Sequence, residues 1–256
     1  MTNRIYAFEA IENFRDFGGY ATPDGTVKRG RLFRSAQISR PSDDDLAKLA
    51  ELDLSMVLDL RRASERVKQP DRLPEGWQGK HISSDLGGDG EAPHIRFLKS
   101  GALTEDSGRQ YLTQAYLHMA FEPAHVALFR DYFAGLAEGA SLIHCAAGKD
   151  RTGLLASLVH TALGVGEDDM MADYLATNAA VNLEGRADEM ARKLEKLVGQ
   201  PVSRGSVVSF LGVEPDYLHT AHRAIRERNG SLMGYLDQVL GMDAAAVARL
   251  RESLCG

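Results

Sequence analysis

Residues 144–153 read "HCAAGKDRTG" and lie between the apolar run "SLI" and the amphipathic run "LLASLV". A thiol and three charges at such a junction are hard to house unless a strand ends there and a helix begins. The strand is read over 141–145. The helix is read over 152–164, with Leu154, Leu155, Leu158, Val159 and Ala162 in register. A strand–turn–helix unit of this kind commits the chain to an α/β core.

The turn itself dictates some chemistry. Its backbone N–H groups have no helical carbonyl to bond, and the helix dipole adds partial positive charge. Such a place binds phosphate or another tetrahedral oxyanion. Gly148 lets the backbone curl close to the anion. Cys145, beside Lys149 and Arg151 at a helix N-terminus, is favoured as the thiolate, and Thr152 is placed to donate to the sulfur. Arg151 can grip two phosphoryl oxygens with its planar fork. The turn Ala146, Ala147, Gly148, Lys149 and Asp150 supplies the backbone donors. The alternative is a structural cysteine, but burying three charges beside it with no anion would be costly. A nucleotide-binding Walker loop is excluded: it needs glycine where Ile143 stands and Ser or Thr where Asp150 stands.

Elsewhere the chain alternates strand and helix, then turns helical. "GGYATPDGTVKRGRLFRS" (18–35) reads as a small hairpin or strand pair. A helix starts in 41–54, capped by Ser42 with Asp43 to Asp45 at its positive end. Residues 55–60 read as a buried strand and 80–84 as a weaker one. Residues 85–104 show no clean period and read as a long loop; with the stretch to 121 they form a candidate lid. Val126, Phe129, Phe133 and Leu136 share a helical face between Pro123 and Gly139. Helical patterns follow at about 168–179, 183–198, 214–229, 231–240 and 243–254. The order predicts an α/β sheet with a helical C-terminal section, folded as one domain over 1–256.

Composition narrows the partners. The 256 residues carry a formal net charge of -6, which argues against a general nucleic-acid or membrane binder. Two cysteines, Cys145 and Cys255, make no disulfide framework and fit a reducing compartment. The start lacks the apolar core of a secretory leader, and no run approaches membrane-spanning length. The expectation is a soluble, cytoplasmic protein, with export by another route left open.

The turn resembles the His-Cys-x5-Arg-Ser/Thr signature of the protein-tyrosine phosphatase superfamily. More narrowly, it is similar to the bacterial and fungal branch with a Gly-Lys-Asp-Arg-Thr-Gly loop. "NFRDFGGY" (13–20), "GRLFRSAQIS" (30–39), "LDLRRASE" (58–65) and "ADYLATN" (172–178) resemble that branch's blocks in the same order. The resemblance implies a central, mostly parallel sheet flanked by helices. It also implies Cys145 as nucleophile, Arg151 as phosphate clamp, a phosphocysteine intermediate, and no metal or cofactor. Substrates would be a phosphorylated protein, mainly at tyrosine and also at serine or threonine, or a phospholipid headgroup. Lys149 is the feature tied to phosphoinositides, through pairing with a second phosphate.

Three carboxylates compete as general acid, since the Trp-Pro-Asp loop of many relatives is missing. Asp59 ends the "MVLDL" strand and is favoured by the resemblance; its competing reading is a pair with Arg61. Asp85 follows the next strand, and Asp150 lies in the turn. Arg15, Asp16 and Arg34 either line the site or, for Arg15 and Asp16, brace the Gly18-Gly19 turn. His144 is read as orienting the turn, His219 and His222 as ordinary core or surface histidines, and Cys255 as a bystander. Met170, Met171, Tyr174 and Leu175 read as core. Two other functions use a similar turn: a rhodanese-type sulfurtransferase, whose loop is shorter, and a catalytically inactive phospho-binding module.

Overall fold

A computed structural model of the chain describes residues 4–86, 90 and 92–256. The N-terminal part gives β1 (Arg15–Asp16), the hairpin β2 (Ala21–Thr22) and β3 (Gly25–Thr26), and β4 (Leu32–Ser35). Then come α1 (Asp43–Glu51), β5 (Leu54–Asp59), α2 (Ala63–Lys68), β6 (Lys80–Ile82), α3 (Pro93–Lys99), α4 (Glu105–Met119), α5 (Pro123–Gly135) and β7 (Ala140–His144). Helices complete the chain: α6 (Asp150–Leu163), α7 (Glu167–Ala180), α8 (Leu183–Val198), α9 (Arg204–Leu211), α10 (Pro215–Asn229), α11 (Leu232–Gln238) and α12 (Ala244–Leu254).

The main sheet has the order β1-β4-β7-β5-β6, parallel except for β1. Its strands alternate between two apolar layers, as a pleated strand must. Leu32, Met56, Leu58 and Ile143 enter the larger layer, where α5 packs on β5 and β6, and α6 on β4 and β7. Phe33, Leu54, Val57 and Leu142 enter the opposite layer with Ile11, Phe14 and Leu49. Phe129 of α5 is fully buried; a side chain of that size contributes about 1.5–3 kcal/mol by leaving water.

Local signals explain the helix starts. Ser42 and Asp45 form a reciprocal capping box at α1, and Asp45 also accepts from the Glu9 and Ala10 amides. Pro123 and Pro215 open α5 and α10 at their first turn.

Two expectations need correction, and a third falls partly outside the described residues. The hairpin or strand pair read over 18–35 is confined to β2 and β3, and only Leu32–Ser35 of that stretch joins the main sheet, as β4. The aperiodic loop read over 85–104 contains α3, which Pro93 opens but which buries only Leu98, too little to produce a visible period. Of the candidate lid, 87–89 and 91 lie outside the described residues. Its second half is α4, whose Leu112, Tyr116 and Met119 are embedded in the larger apolar layer. Met170 and Tyr174 are buried, as expected of core residues. His222 is a core histidine: its Nε2 lies 2.9 Å from Ser157 Oγ, and burial, with Arg226 and His219 adding, pushes it down to about 4. Among the described residues no helix is long and apolar enough to cross a membrane.

Candidate active site

Strand β7 is the central strand of the sheet, and Cys145 is the first residue beyond its end, 2% exposed. Helix α6 starts five residues later, at Asp150. The orientation of the turn follows from where its carbonyls go. Ala146 O accepts from the Gln37 amide at 3.2 Å. Asn13 Nδ2 donates to Ala147 O at 3.1 Å and to Gly148 O at 3.0 Å, and Arg34 Nη2 donates to Gly148 O at 3.0 Å. In a trans peptide the N–H points opposite the C=O. The N–H groups of Ala147, Gly148 and Lys149 are therefore turned to the other, concave side. Gly148 has φ +66°, and a Cβ there would lie 2.3 Å from Ser35 O, so the turn tolerates only glycine at that position.

The donors behind the turn belong to one buried network. Asp173 accepts from Arg15 Nε at 3.2 Å and from Arg34 Nη1 at 2.6 Å. Arg15 also donates to Asn13 Oδ1, to Thr177 Oγ1 and to Asp173 O. Burial would raise the Asp173 carboxyl, but Arg15 and Arg34 outweigh it and hold it well below the usual carboxylate range. Burial and the neighbouring Arg34 lower Arg15 to about 10 against the pull of Asp173. Arg34 directly, and Arg15 through Asn13, thus brace the 145–149 turn from behind. Asp16 does what one of its two readings expected: it accepts from the Gly18 amide at 2.7 Å.

Arg151 is locked on one edge. Its Nη1 donates to Leu60 O at 3.0 Å and to Glu65 Oε2 at 2.8 Å, and its Nη2 donates to Glu65 Oε1 at 3.2 Å. A guanidinium has five N–H groups. The remaining two, on Nε and Nη2, form its side edge, the fork that suits two phosphoryl oxygens. Burial lowers the arginine, but Cys145 and Glu65 more than reverse this and raise it. Burial likewise works to raise Glu65, yet the charge and hydrogen bonds of Arg151, with the Arg62 amide, bring it down to about 2. With its folded value depressed, Glu65 stabilises the fold above its ordinary value of 4.5, and that contribution is lost as pH falls towards 2.

Other expected residues are placed differently. Lys149 is buried, and its Nζ donates to Phe210 O at 2.7 Å and Gly212 O at 3.2 Å, at the C-terminal end of α9, instead of standing free for a second phosphate. The expected bond from Thr152 to the sulfur is not formed: the hydroxyl is buried without a hydrogen-bond partner among the described residues.

The three acid candidates lie in different surroundings. Asp59 is fully buried, and both its oxygens are taken by Arg61, at 2.9 Å from Nε and 2.7 Å from Nη2. That pairing is its competing reading. Asp85 is an exposed partner of Arg66. Asp150 is the first residue of α6, beside Arg151, and accepts from Tyr116 Oη at 3.0 Å, which in turn meets Tyr174 Oη at 2.8 Å.

Sequence reasoning did not assign Glu65, Asn13, Asp173, Tyr116 or His94. The first three stood inside the quoted blocks, at positions whose partners are far away in the chain. His94, on α3, is lowered by burial, with Glu65 opposing and Arg151 adding to the shift.

The comparisons agree with this geometry. A family model described as "Tyrosine phosphatase family" matches residues 6–256. The chain is 34% identical over 274 residues to the triple specificity protein phosphatase PtpB of Mycobacterium tuberculosis, covering 95% of this chain and 96% of that one. It is 33% identical over 245 residues to a Cupriavidus necator protein provisionally named a tyrosine-protein phosphatase, covering 93% of this chain and 85% of the relative. A tyrosine-protein phosphatase of Nostoc commune is 29% identical over 167 residues, covering 65% of this chain and 54% of the relative. By the match over 6–256 and the 34% identity over nearly its whole length, the chain belongs to the tyrosine phosphatase family and is a phosphatase.

Proposed function

We propose that the protein hydrolyses phosphomonoesters of proteins, phosphotyrosine above all, through a phosphocysteine on Cys145. The observation that supports this best is the outward direction of the turn's carbonyls. It leaves the opposing amides, with the side edge of Arg151, to bind three phosphoryl oxygens over the sulfur. In the first step the Cys145 thiolate forms an S–P bond as the P–O bond to the leaving group breaks. Asp150 gives its proton to the departing oxygen. In the second step water attacks phosphorus, Asp150 takes its proton, and the S–P bond breaks to release phosphate. Charge spreading over the equatorial oxygens in each transition state meets the amides and Arg151.

Breadth of substrate follows as part of the same proposal. Phosphoserine and phosphothreonine fit the same cradle, and the name of the mycobacterial relative states triple specificity. A phosphoinositide carrying a second phosphate would have to draw Lys149 off Phe210 O and Gly212 O, so it ranks below phosphotyrosine.

The test is phosphate release, with a chelator present, from phosphotyrosine, phosphoserine and phosphothreonine peptides and from phosphoinositides. Cys145→Ser is expected to abolish release. Asp150→Asn is expected to lower kcat by about 10²–10⁴ for an alkyl leaving group and far less for an activated aryl one. If Asp59→Asn shows that pattern and Asp150→Asn does not, the acid is misassigned. Bound phosphate with no turnover in the wild type would make this a phospho-binding module instead.

A further inference from the structure

Behind β7 lies a second charged cluster that the reaction scheme above does not use. Asp71, in the segment between α2 and β6, is its centre. Its Oδ1 accepts from Arg61 Nη2 at 2.7 Å. Its Oδ2 lies 3.0 Å from His144 Nε2 and 3.1 Å from His81 Nε2. His144 is fully buried and immediately precedes Cys145, whereas the His81 side chain, on edge strand β6, is 33% exposed. The two imidazoles therefore share one carboxylate oxygen, one ring facing solvent and the other touching the nucleophile's own peptide.

A carboxylate oxygen only accepts, so both rings must present Nε2–H to it. This leaves His144 Nδ1, which is buried, has no hydrogen-bond partner among the described residues, and is 3.9 Å from Asp59 Oδ1. As a bare nitrogen it faces a carboxylate; protonated, it faces a counter-charge. The charge count makes the same point. Asp59 and Asp71 bring two negative charges, and Arg61, which bonds both, brings one positive charge. The carboxylates and His81 approach one another closely enough to hold a cation, but the guanidinium already occupies the space between the two aspartates. One proton, carried by either histidine, makes this buried cluster neutral, which is its least costly state.

We propose that Asp71 is a positioning residue for Cys145, and that His81 and His144 share one proton across it. Solvent conditions at His81 then govern the charge beside the nucleophile. The groups facing Asp71 are Asp59 and Arg61 from the end of β5, His81 from β6 and His144 from β7; the other partners of Arg61 are the neutral Gln37 side chain and Gln69 carbonyl. The effect on turnover rests on Cys145 being the nucleophile; the coupling between the histidines does not.

Ring-nitrogen NMR of the full chain tests the coupling first. In the wild type, a change at one ring is expected to show in the signals of the other, because both meet one carboxylate oxygen. In His81→Gln, an exposed edge-strand change, Asp71 Oδ2 keeps a single imidazole partner, and the His144 ring-nitrogen signals are expected to shift. Superimposable His144 signals in the two proteins would overturn the proposal. With an aryl phosphate, His81→Gln is expected to move the pH profile of kcat/KM by about one unit. Asp71→Ala is expected to lower kcat about tenfold or more with KM within about twofold, and to make His81→Gln silent in the double variant. Coupled rings with an unmoved pH profile would remove the positioning role. An inactive wild type with coupled rings would instead count against the phosphatase mechanism and leave the shared proton standing.

Discussion

Arg151→Lys is expected to lower kcat by about 10³-fold or more while the protein stays folded. Lysine keeps the positive charge but loses the fork. In the native site one guanidinium edge is spent on Glu65 and Leu60, which orients the other edge. A lysine ammonium can satisfy Glu65 or a phosphoryl oxygen, but it cannot hold both at fixed angles. The loss should therefore fall on the transition state, where charge is spread over the equatorial oxygens. Inhibition constants for inorganic phosphate and for vanadate, measured beside kcat, check this. Phosphate affinity should fall little, whereas vanadate affinity should fall with kcat. If phosphate affinity falls as far as kcat, the arginine serves ground-state binding only.

Asp173→Ala carries the largest expected cost in stability. It would leave Arg15 and Arg34, each about 1% exposed or less, as buried cations without their shared counter-charge. Breaking a buried pair in this way costs about 3–5 kcal/mol, a fall in Tm on the order of 10 °C for a chain of this size. Activity should fall as well, since Arg34 and Asn13 set the turn's carbonyls. Thermal melts and kcat on the same samples check both effects. The pH sign is defined: Asp173 is depressed when folded, so its contribution is complete above the ordinary carboxylate range and is lost only as pH falls below it. A Tm change of under about 2 °C would mean that the arginines find other partners.

The strand, turn and helix around Cys145 were legible because each is encoded locally. An apolar run, a glycine that must take positive φ, and a 3.6-residue period lie within one short stretch. Asp43 to Asp45 marked a real helix start for the same reason. What stayed hidden depends on distance or brevity. Asn13 acts on carbonyls more than 130 residues away, and Asp173 joins arginines at 15 and 34. Glu65 has no evident task until Arg151 is folded against it. Helices α3 and α9 are seven and eight residues long, too short for a period to stand out. Asp59 reads as an acid at a strand end, while the fold pairs it with Arg61, two residues on. Lys149 looked free because the carbonyls that hold it come from α9, a helix the pattern did not show.

The site also joins two parts of unequal strength. Cys145 hangs from a central strand whose every residue is buried, between two hydrogen-bonded neighbours. Glu65 rides on α2, six residues long with none buried and with Val67 83% exposed. Segments with so little packing open at a fraction of the free energy of global unfolding. When α2 opens, Arg151 loses Glu65 and keeps only Leu60 O, while the sheet stays intact. Inactivation should therefore precede denaturation. In a urea titration, activity should vanish at lower concentration than the fluorescence change of the single tryptophan, Trp77, whose indole is tied to Leu54 O of β5 at 2.6 Å.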